Sequence, residues 1–260
     1  MWCPLPDDLS EIQKKWDRLG KLDPLYAIKV GIMNEQGEWV SKDGGKWNLQ
    51  DFFQTGIDEI NAIMQQADQL QLKLPSKRAL DFGCGIGRVT QALCNYFDSV
   101  DGVDIAPSMI DLANKYNTRG DRVHYFVNNK DSLEMFKDNS YDFIYSVEVL
   151  QHMRPEYQEK YLRELLRILS PGGLLVFELP SEYATLKQKI LFNFTFQDIK
   201  WIHSLYWKSL FKQPLFAMMQ FYVNPRSHVE SFLLNQGAKH VYAIRNWRSI
   251  VSYNYFVTKY

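Results

Sequence analysis

The chain has 260 residues, of which 46% are hydrophobic and 23% charged, and its thirty basic side chains balance thirty acidic ones. These proportions exclude a disordered or fibrous chain, and a net charge of zero argues against a protein that binds nucleic acid chiefly by neutralising phosphates. The sequence shows neither a signal peptide nor an apolar stretch long enough to cross a membrane, so we expect a cytoplasmic protein.

The first segment, residues 1–75, has helical periodicity and no convincing strand. Apolar side chains at helical spacing predict one helix that begins at Leu9 and stops at Gly20, and a second over about 51–72. We therefore expect a helical N-terminal cap. Its aromatic side chains either cover a ligand site as a lid or form the core of the cap; they are Trp16, Tyr26, Trp47, Phe52 and Phe53.

From residue 76 onward, short apolar runs alternate with amphipathic helices. The predicted strands are 78–82, 99–104, 123–127, 141–147 and 174–179, and the predicted helices are 88–96, 107–116 and one that begins at Pro155 and is stopped by 171–173. This alternation predicts parallel strands joined by right-handed crossovers in an open, doubly wound α/β sheet. Ligands of such sheets bind at the carboxyl ends of the strands.

The end of the chain has a different pattern. A helix is predicted over 225–235, and two strands over 239–244 and 252–258. Only about seven residues separate these strands, too few for a helical crossover, so we expect them to pair as antiparallel neighbours. The predicted fold is a mostly parallel, seven-stranded sheet with a C-terminal antiparallel hairpin.

An aromatic-rich insertion, residues 181–222, follows the fifth predicted strand. Over 187–212 it carries five lysines and one acidic residue, Asp198. Because it leaves the carboxyl end of a strand, we expect a helical insertion beside the ligand site that sets specificity. Three interpretations stay open: a cap over an apolar or aromatic ligand, a dimer surface, and a membrane-surface contact through 187–212. Monomer and homodimer both remain open.

The strongest local signal is a glycine-rich turn after the first predicted strand. Glycines 83, 85 and 87 let the backbone approach a ligand closely, and the next helix begins with free N–H groups that favour a polar or anionic group. The G-x-G-x-G spacing followed by Arg88 differs from the G-x-G-x-x-G of nicotinamide-dependent oxidoreductases and disfavours that class. A tight turn without a ligand is the alternative.

Two carboxylates flank the turn. Asp81 precedes it, where it can bind a cationic amino group, and Asp104 ends the next strand, where it can accept hydrogen bonds from both hydroxyls of a ribose. The alternative for Asp104 is to cap the helix that begins near Pro107.

Six segments in this order resemble the motifs of class I S-adenosylmethionine-dependent methyltransferases. They are 80–87, 100–109, 129–133, 138–142, 150–153 and 169–173. The pair Gln151-His152 and the segment 16–20 resemble bacterial-type enzymes of this class that act on small molecules. The resemblance is strong over 77–180 and looser over 225–260. It implies a Rossmann-like domain over 76–260, the cofactor S-adenosyl-L-methionine and a small-molecule acceptor, with no nucleic acid.

The resemblance also implies roles for individual residues. Asp81 and the turn 83–87 would hold the methionine end of the cofactor, and Asp104 the ribose. The adenine would pack on Ile105 and Met109 and bind Asn129, where the family more often has Asp. The full set of implied cofactor-binding residues is Asp81, Gly83, Cys84, Gly85, Gly87, Asp104, Ile105, Met109, Asn129, Lys130, Ser146 and Val147.

Candidate catalytic residues follow the fourth predicted strand: Glu148, Gln151 and His152. His152 is the candidate general base for an acceptor that loses a proton, since imidazole titrates near neutral pH; the alternative is that it only packs in the pocket. Gln151 would fix a helix end or orient the acceptor. Five histidines without ligand spacing and three scattered cysteines predict no metal site. A protein that binds the cofactor without catalysis, as a partner or sensor, is the alternative function.

Overall fold

The computed structural model describes residues 9–28, 32–33, 39–40, 47–183, 221–247 and 251–260. The N-terminal helices are α1 (Leu9–Leu22), α2 (Pro24–Ile28) and α3 (Leu49–Gln69), and the later helices are α4 (Arg88–Leu93), α5 (Pro107–Lys115), α6 (Pro155–Ile168) and α7 (Arg226–Asn235). The strands of the main sheet are β1 (Arg78–Phe82), β2 (Ser99–Asp104), β3 (Val123–Val127), β4 (Tyr141–Ser146), β5 (Leu169–Glu182), β6 (Ala238–Trp247) and β7 (Val251–Lys259).

The seven strands form one sheet in the order β3-β2-β1-β4-β5-β7-β6. Strands β1 to β5 run parallel to one another, whereas β7 runs antiparallel to both β5 and β6. The predicted seven-stranded, doubly wound sheet with a C-terminal hairpin is confirmed. None of the described helices is both long and apolar enough to span a membrane.

Each face of the sheet carries its own hydrophobic core. On one face α6 buries an apolar stripe that includes Tyr161, Leu165 and Leu166. On the other face α3 contributes Ile60 and Ile63 to a cluster with strand residues. Helix α3, which the sequence places in the N-terminal cap, therefore forms part of the layer that covers the sheet.

Helix α1 continues through Gly20 to Leu22, so the prediction that it stops at Gly20 is wrong. Gly20 lies against α5, where a Cβ atom would collide with the hydroxyl of Ser108. The glycine serves close helix packing instead of helix termination. Helix α4 ends at Leu93, three residues before the predicted end at 96, because the amides of Asn95 and Tyr96 bond three residues back in a tighter turn.

Two strand predictions also need correction. Strand β5 begins at Leu169, which pairs with Tyr141, and the register shifts before Leu174 pairs with Phe143. The segment 171–173 is therefore an irregularity within the strand and does not precede it. The first 75 residues contain a short antiparallel pair, Ile32–Met33 with Trp39–Val40, although no strand was expected there. Most of the predicted insertion, 184–220, lies outside the described residues.

Candidate active site

The glycine turn is anchored to the neighbouring strand. The N–H groups of Gly83 and Cys84 both donate to the carbonyl of Val103, at 2.8 and 3.0 Å. Gly87, which caps α4, has φ +84°, a left-handed conformation that L side chains rarely adopt. A Cβ atom there would also collide with the hydroxyl of Tyr125. The turn therefore requires glycine at this position.

Asp104 sits at the end of β2, where both of its carboxylate oxygens accept a backbone hydrogen bond. Its Oδ2 accepts from Gly85 N–H and its Oδ1 from Ala106 N–H, each at 2.9 Å. Partial burial raises the pKa of Asp104, and these donors oppose the rise. A carboxylate oxygen can accept more than one hydrogen bond, so each retains room for a hydroxyl donor. The capping alternative is wrong, because α5 has Ala106 as its N-cap and no side-chain cap; Asp104 holds the turn before the helix, and its ribose role remains a prediction.

Asp81 lies on β1 and is buried, with 4% of its surface exposed. The hydroxyl of Thr90 on α4 donates to its Oδ2 at 2.6 Å. Burial raises the pKa of Asp81 to about 7, with Thr90 and Arg88 opposing the rise. Carboxyl groups with strongly raised pKa values cluster at functional sites, although structural networks also raise them, so this pKa supports a functional role only together with the position of Asp81 beside the turn.

A partly buried network beside Asp81 was not predicted from the sequence. Glu59 of α3 binds Arg88 through Oε2 at 3.0 Å and accepts from the Tyr145 hydroxyl through Oε1 at 2.9 Å. Arg88 also donates to Thr55 at 3.3 Å. No local pattern reveals Glu59, because its partners lie 29 and 86 residues away in sequence.

The end of β4 supplies the residues expected near the methyl group. Ser146 is fully buried, and among the described residues its hydroxyl has no hydrogen-bond partner. Val147 is half-buried, and Glu148 has φ +62°, an uncommon conformation for a residue with a side chain. Such strain is often found at active sites, where the surrounding structure enforces it.

His152 lies just beyond β4 in an aromatic environment. Its ring meets Trp16 of α1 edge-on at 5.4 Å between centroids and Phe221 at 6.0 Å. The side chain of Gln151 is buried, and its Nε2 lies 3.4 Å from His152 Nε2. The imidazole therefore has a defined orientation at the sheet edge that carries the glycine turn.

Helix α1 docks directly beside Asp104. Asp17 accepts from the N–H of Ser108 at 2.9 Å, and Gln13 donates to the carbonyl of Ile105 at 2.9 Å. The side chain of Ile28, at the end of α2, reaches the glycine turn, so that a Cβ atom on Gly85 would lie 2.6 Å from it. These contacts support the lid interpretation of the N-terminal helices, which remains a prediction.

The residues implied for adenine are placed differently from one another. Asn129 and Lys130 are exposed in the loop after β3, whereas Met109 is 1% exposed within a cluster that includes Leu19 and Phe52. Buried Asn128 shapes the loop by donating to the carbonyls of Lys130 and Ser132, at 3.2 and 3.0 Å. Asn128 was not predicted from the sequence, because its role depends on the loop's own backbone. The adenine-binding roles of Met109, Asn129 and Lys130 remain predictions.

The described residues contain no group of three or more His, Cys, Asp or Glu side chains that could hold a metal ion. The arrangement at this edge is instead a glycine cradle with two carboxylates, which fits a ligand that presents an ammonium group and a ribose.

Comparison with known proteins identifies the same region. A model of the family described as "Methyltransferase domain" matches residues 80–177. A 2-methyl-6-phytyl-1,4-hydroquinone methyltransferase of Synechocystis is 35% identical over 171 residues, 65% of this chain and 50% of that protein. A ubiquinone biosynthesis O-methyltransferase of Coxiella burnetii is 31% identical over 119 residues, 45% of this chain and 50% of that protein. The chain spans about half the length of these curated relatives.

The fold is shared with a solved structure, magnesium protoporphyrin IX methyltransferase from Synechocystis with S-adenosylhomocysteine bound. The two proteins are 16% identical, and their structural alignment has a TM-score of 0.61 and covers 97% of this chain and 100% of that one. Sequence motifs, family match and fold agree: residues 80–177 are a class I S-adenosylmethionine-dependent methyltransferase domain.

Proposed function

We propose that the chain transfers a methyl group from S-adenosyl-L-methionine to an oxygen or nitrogen of a small-molecule acceptor. The observation that carries the proposal is the pair Asp81 and Asp104: Asp81 is the next-to-last residue of β1, Asp104 is the last residue of the adjacent parallel strand β2, and Asp104 bonds the glycine turn. The family match over 80–177 supports it. In this site Asp81 would bind the ammonium group and Asp104 the ribose hydroxyls.

The cofactor, when bound, supplies an electrophilic methyl group on a sulfonium whose sulfur departs without needing a proton. The work left to the protein is therefore alignment, which can supply several kcal/mol of barrier lowering. Ser146 and Val147 would border the reacting methyl group. His152 would accept the acceptor's proton, its ring held by Trp16 and Phe221.

A hydroxylated aromatic ring is the acceptor class we favour. One relative is named as a hydroquinone methyltransferase, and another as an O-methyltransferase of ubiquinone biosynthesis. Within the described residues, the aromatic rings of Trp16 and Phe221 lie on the sides of His152 and would suit a planar apolar acceptor whose hydroxyl points to the imidazole.

The experiment is an assay of S-adenosylhomocysteine formation from S-adenosylmethionine with a panel of phenols and hydroquinones and with a cell extract. We expect turnover with at least one phenolic acceptor. Tight cofactor binding without product from any source would favour the alternative, a cofactor-binding partner or sensor. Turnover confined to amines or nucleic acid would overturn the acceptor class.

A further inference from the structure

We propose that Glu59 is a positioning residue for the cofactor, because it joins the glycine turn to the methyl-side strand through Arg88 and Tyr145. This inference rests on the proposed function and assigns to helix α3 a part in the site that its place in the sequence does not suggest. The residue touches neither reacting atoms nor the two carboxylates that bracket the turn, so its effect would be exerted through its partners.

The first link runs from α3 to the glycine turn. Arg88 follows Gly87 directly, its side chain is 10% exposed, and its guanidinium binds Glu59 at 3.0 Å. Gly56 lets the two helices meet at backbone distance, because a Cβ atom there would collide with the carbonyl of Arg88. A displacement of Glu59 would therefore be transmitted to the first turn of α4.

The second link runs to β4. Tyr145 is 3% exposed and directly precedes Ser146, and its hydroxyl donates to Glu59 Oε1 at 2.9 Å. In the sheet Tyr145 is the register partner of Asp81. The two carboxylate oxygens of Glu59 thus hold one side chain from α4 and one from β4, and so link the first turn of α4 to the strand beside the site.

The Arg88 and Glu59 side chains are 10% and 21% exposed, and a pair removed this far from water adds little to stability, because desolvation offsets much of its attraction. An apolar pair would cover this part of the sheet equally well. A charged pair at this place fits a role in the site's electrostatics, and pairing of the two charges also fixes how the two helices meet.

Asp81 is the group that reports this role. The charged and titratable groups around it are Arg88 on α4, Glu59 on α3, Asp104 on β2, Cys84 in the turn, Tyr125 on β3 and Tyr145 on β4. Arg88 lowers the pKa of Asp81, whereas Glu59 raises it. Removal of the Arg88 charge should therefore raise the pKa of Asp81, and removal of the Glu59 charge should lower it.

The test measures the dissociation constant of S-adenosylhomocysteine by calorimetry from about pH 5 to 9. Ionised Asp81 attracts the ligand's ammonium group, so affinity should fall as the pH drops through the pKa of Asp81. We call this fall in affinity the acid limb of the pH profile. Glu59→Gln should weaken binding about tenfold at pH 8 and move this acid limb to lower pH. Arg88→Gln should move the limb to higher pH. Asp81→Asn should abolish it.

Two further variants separate linkage from charge and from folding. Tyr145→Phe removes one hydrogen bond and no charge, so it should weaken binding several-fold without the downward shift of the limb. Asp58→Asn removes the exposed acid next to Glu59, which accepts only from Gln54 among the hydrogen bonds described, and should change neither affinity nor limb.

If the wild type binds the ligand and the Glu59 and Arg88 variants show the same acid limb as the wild type, the inference is overturned and the proposed function is not. A loss of fold stability would not imitate the expected shifts, because it does not change the pH at which Asp81 titrates. Absence of wild-type binding at every pH would overturn the proposed function, and this inference with it. Opposite shifts with an unaffected Asp58→Asn would establish Glu59 as a positioning residue.

Discussion

Asp104 accepts a hydrogen bond of 2.9 Å from the N–H of Gly85, so the carboxylate proposed to bind the ribose also supports the glycine turn. Its other oxygen accepts from Ala106 at the same distance. The turn and the ribose-binding group therefore form one unit, and a change in either should disturb the other.

Replacing Gly87 with alanine should lower both stability and cofactor affinity. The left-handed conformation costs an alanine about 1–2 kcal/mol, and the new Cβ would collide with the Tyr125 hydroxyl. We expect the free energy of unfolding, measured with denaturant, to fall by more than about 2 kcal/mol. Gly120→Ala is the matched control: its φ is +60° and its surroundings are open, so only the strain remains. Equal losses at both glycines would contradict the packing account.

The raised pKa of Asp81 predicts a specific pH dependence of stability. The folded protein binds this proton up to about pH 7, whereas an unfolded Asp releases it near its ordinary pKa of 3.8. Stability should therefore decrease as the pH rises between these two values, and be lowest above them. The free energy of unfolding of Asp81→Asn, measured with denaturant, should not show this decrease. Relative to the wild type it should therefore rise by about 2–4 kcal/mol between the acid end of the range and pH 8. A constant difference would show that the pKa of Asp81 is unshifted.

His152→Gln should separate catalysis from binding. A general base contributes about 10²–10⁴-fold to rate, so we expect kcat to fall at least tenfold with a hydroxyl acceptor while the cofactor dissociation constant changes less than twofold. His228→Gln serves as the control, because His228 is exposed and pairs with Glu159 at 2.7 Å on α6. Near-normal turnover of His152→Gln would remove the base role.

Asp101→Ala should destabilise the sheet without touching the cofactor site. Asp101 is 1% exposed and accepts from Arg78 and Tyr141, each at 2.6 Å. Its loss leaves a guanidinium and a buried hydroxyl without their acceptor, which should cost about 3 kcal/mol in thermal or denaturant unfolding. Asp98→Asn, on the exposed surface before the same strand, should cost little. A loss of cofactor affinity in folded Asp101→Ala would contradict the separation of these two regions.

Much of the fold could be predicted because its signals are local. The strands at 78–82, 99–104 and 123–127 agree with the structure residue for residue, since apolar runs bounded by glycine and acidic residues leave little freedom. The glycine turn was recognisable for the same reason, because its G-x-G-x-G spacing is a local signal. In the structure Gly83, Gly85 and Gly87 all have positive φ. Asp81 and Asp104 followed from their positions at strand ends.

What escaped prediction depends on contacts between distant segments. Gly20 reads as a helix end in sequence, and only its approach to Ser108 shows that it serves packing. Glu59 reads as one of several polar residues on an amphipathic helix, and its partner Tyr145 is 86 residues away. Asn128 acts through carbonyl groups of its own loop, which carry no sequence signal.

The most direct test of the central claim is calorimetry of the wild type with S-adenosylhomocysteine and, separately, with NADH. We predict saturable binding of S-adenosylhomocysteine, none of NADH, and at least about 100-fold weaker binding in Asp104→Asn. The asparagine lacks the charge, and its NH2 replaces one of two oxygens that each accept a backbone N–H near the turn, so both the ribose contact and the turn are weakened. Asp111→Asn, an exposed acid on the following helix, should bind like the wild type. Tight binding of NADH with no heat from S-adenosylhomocysteine would contradict the account.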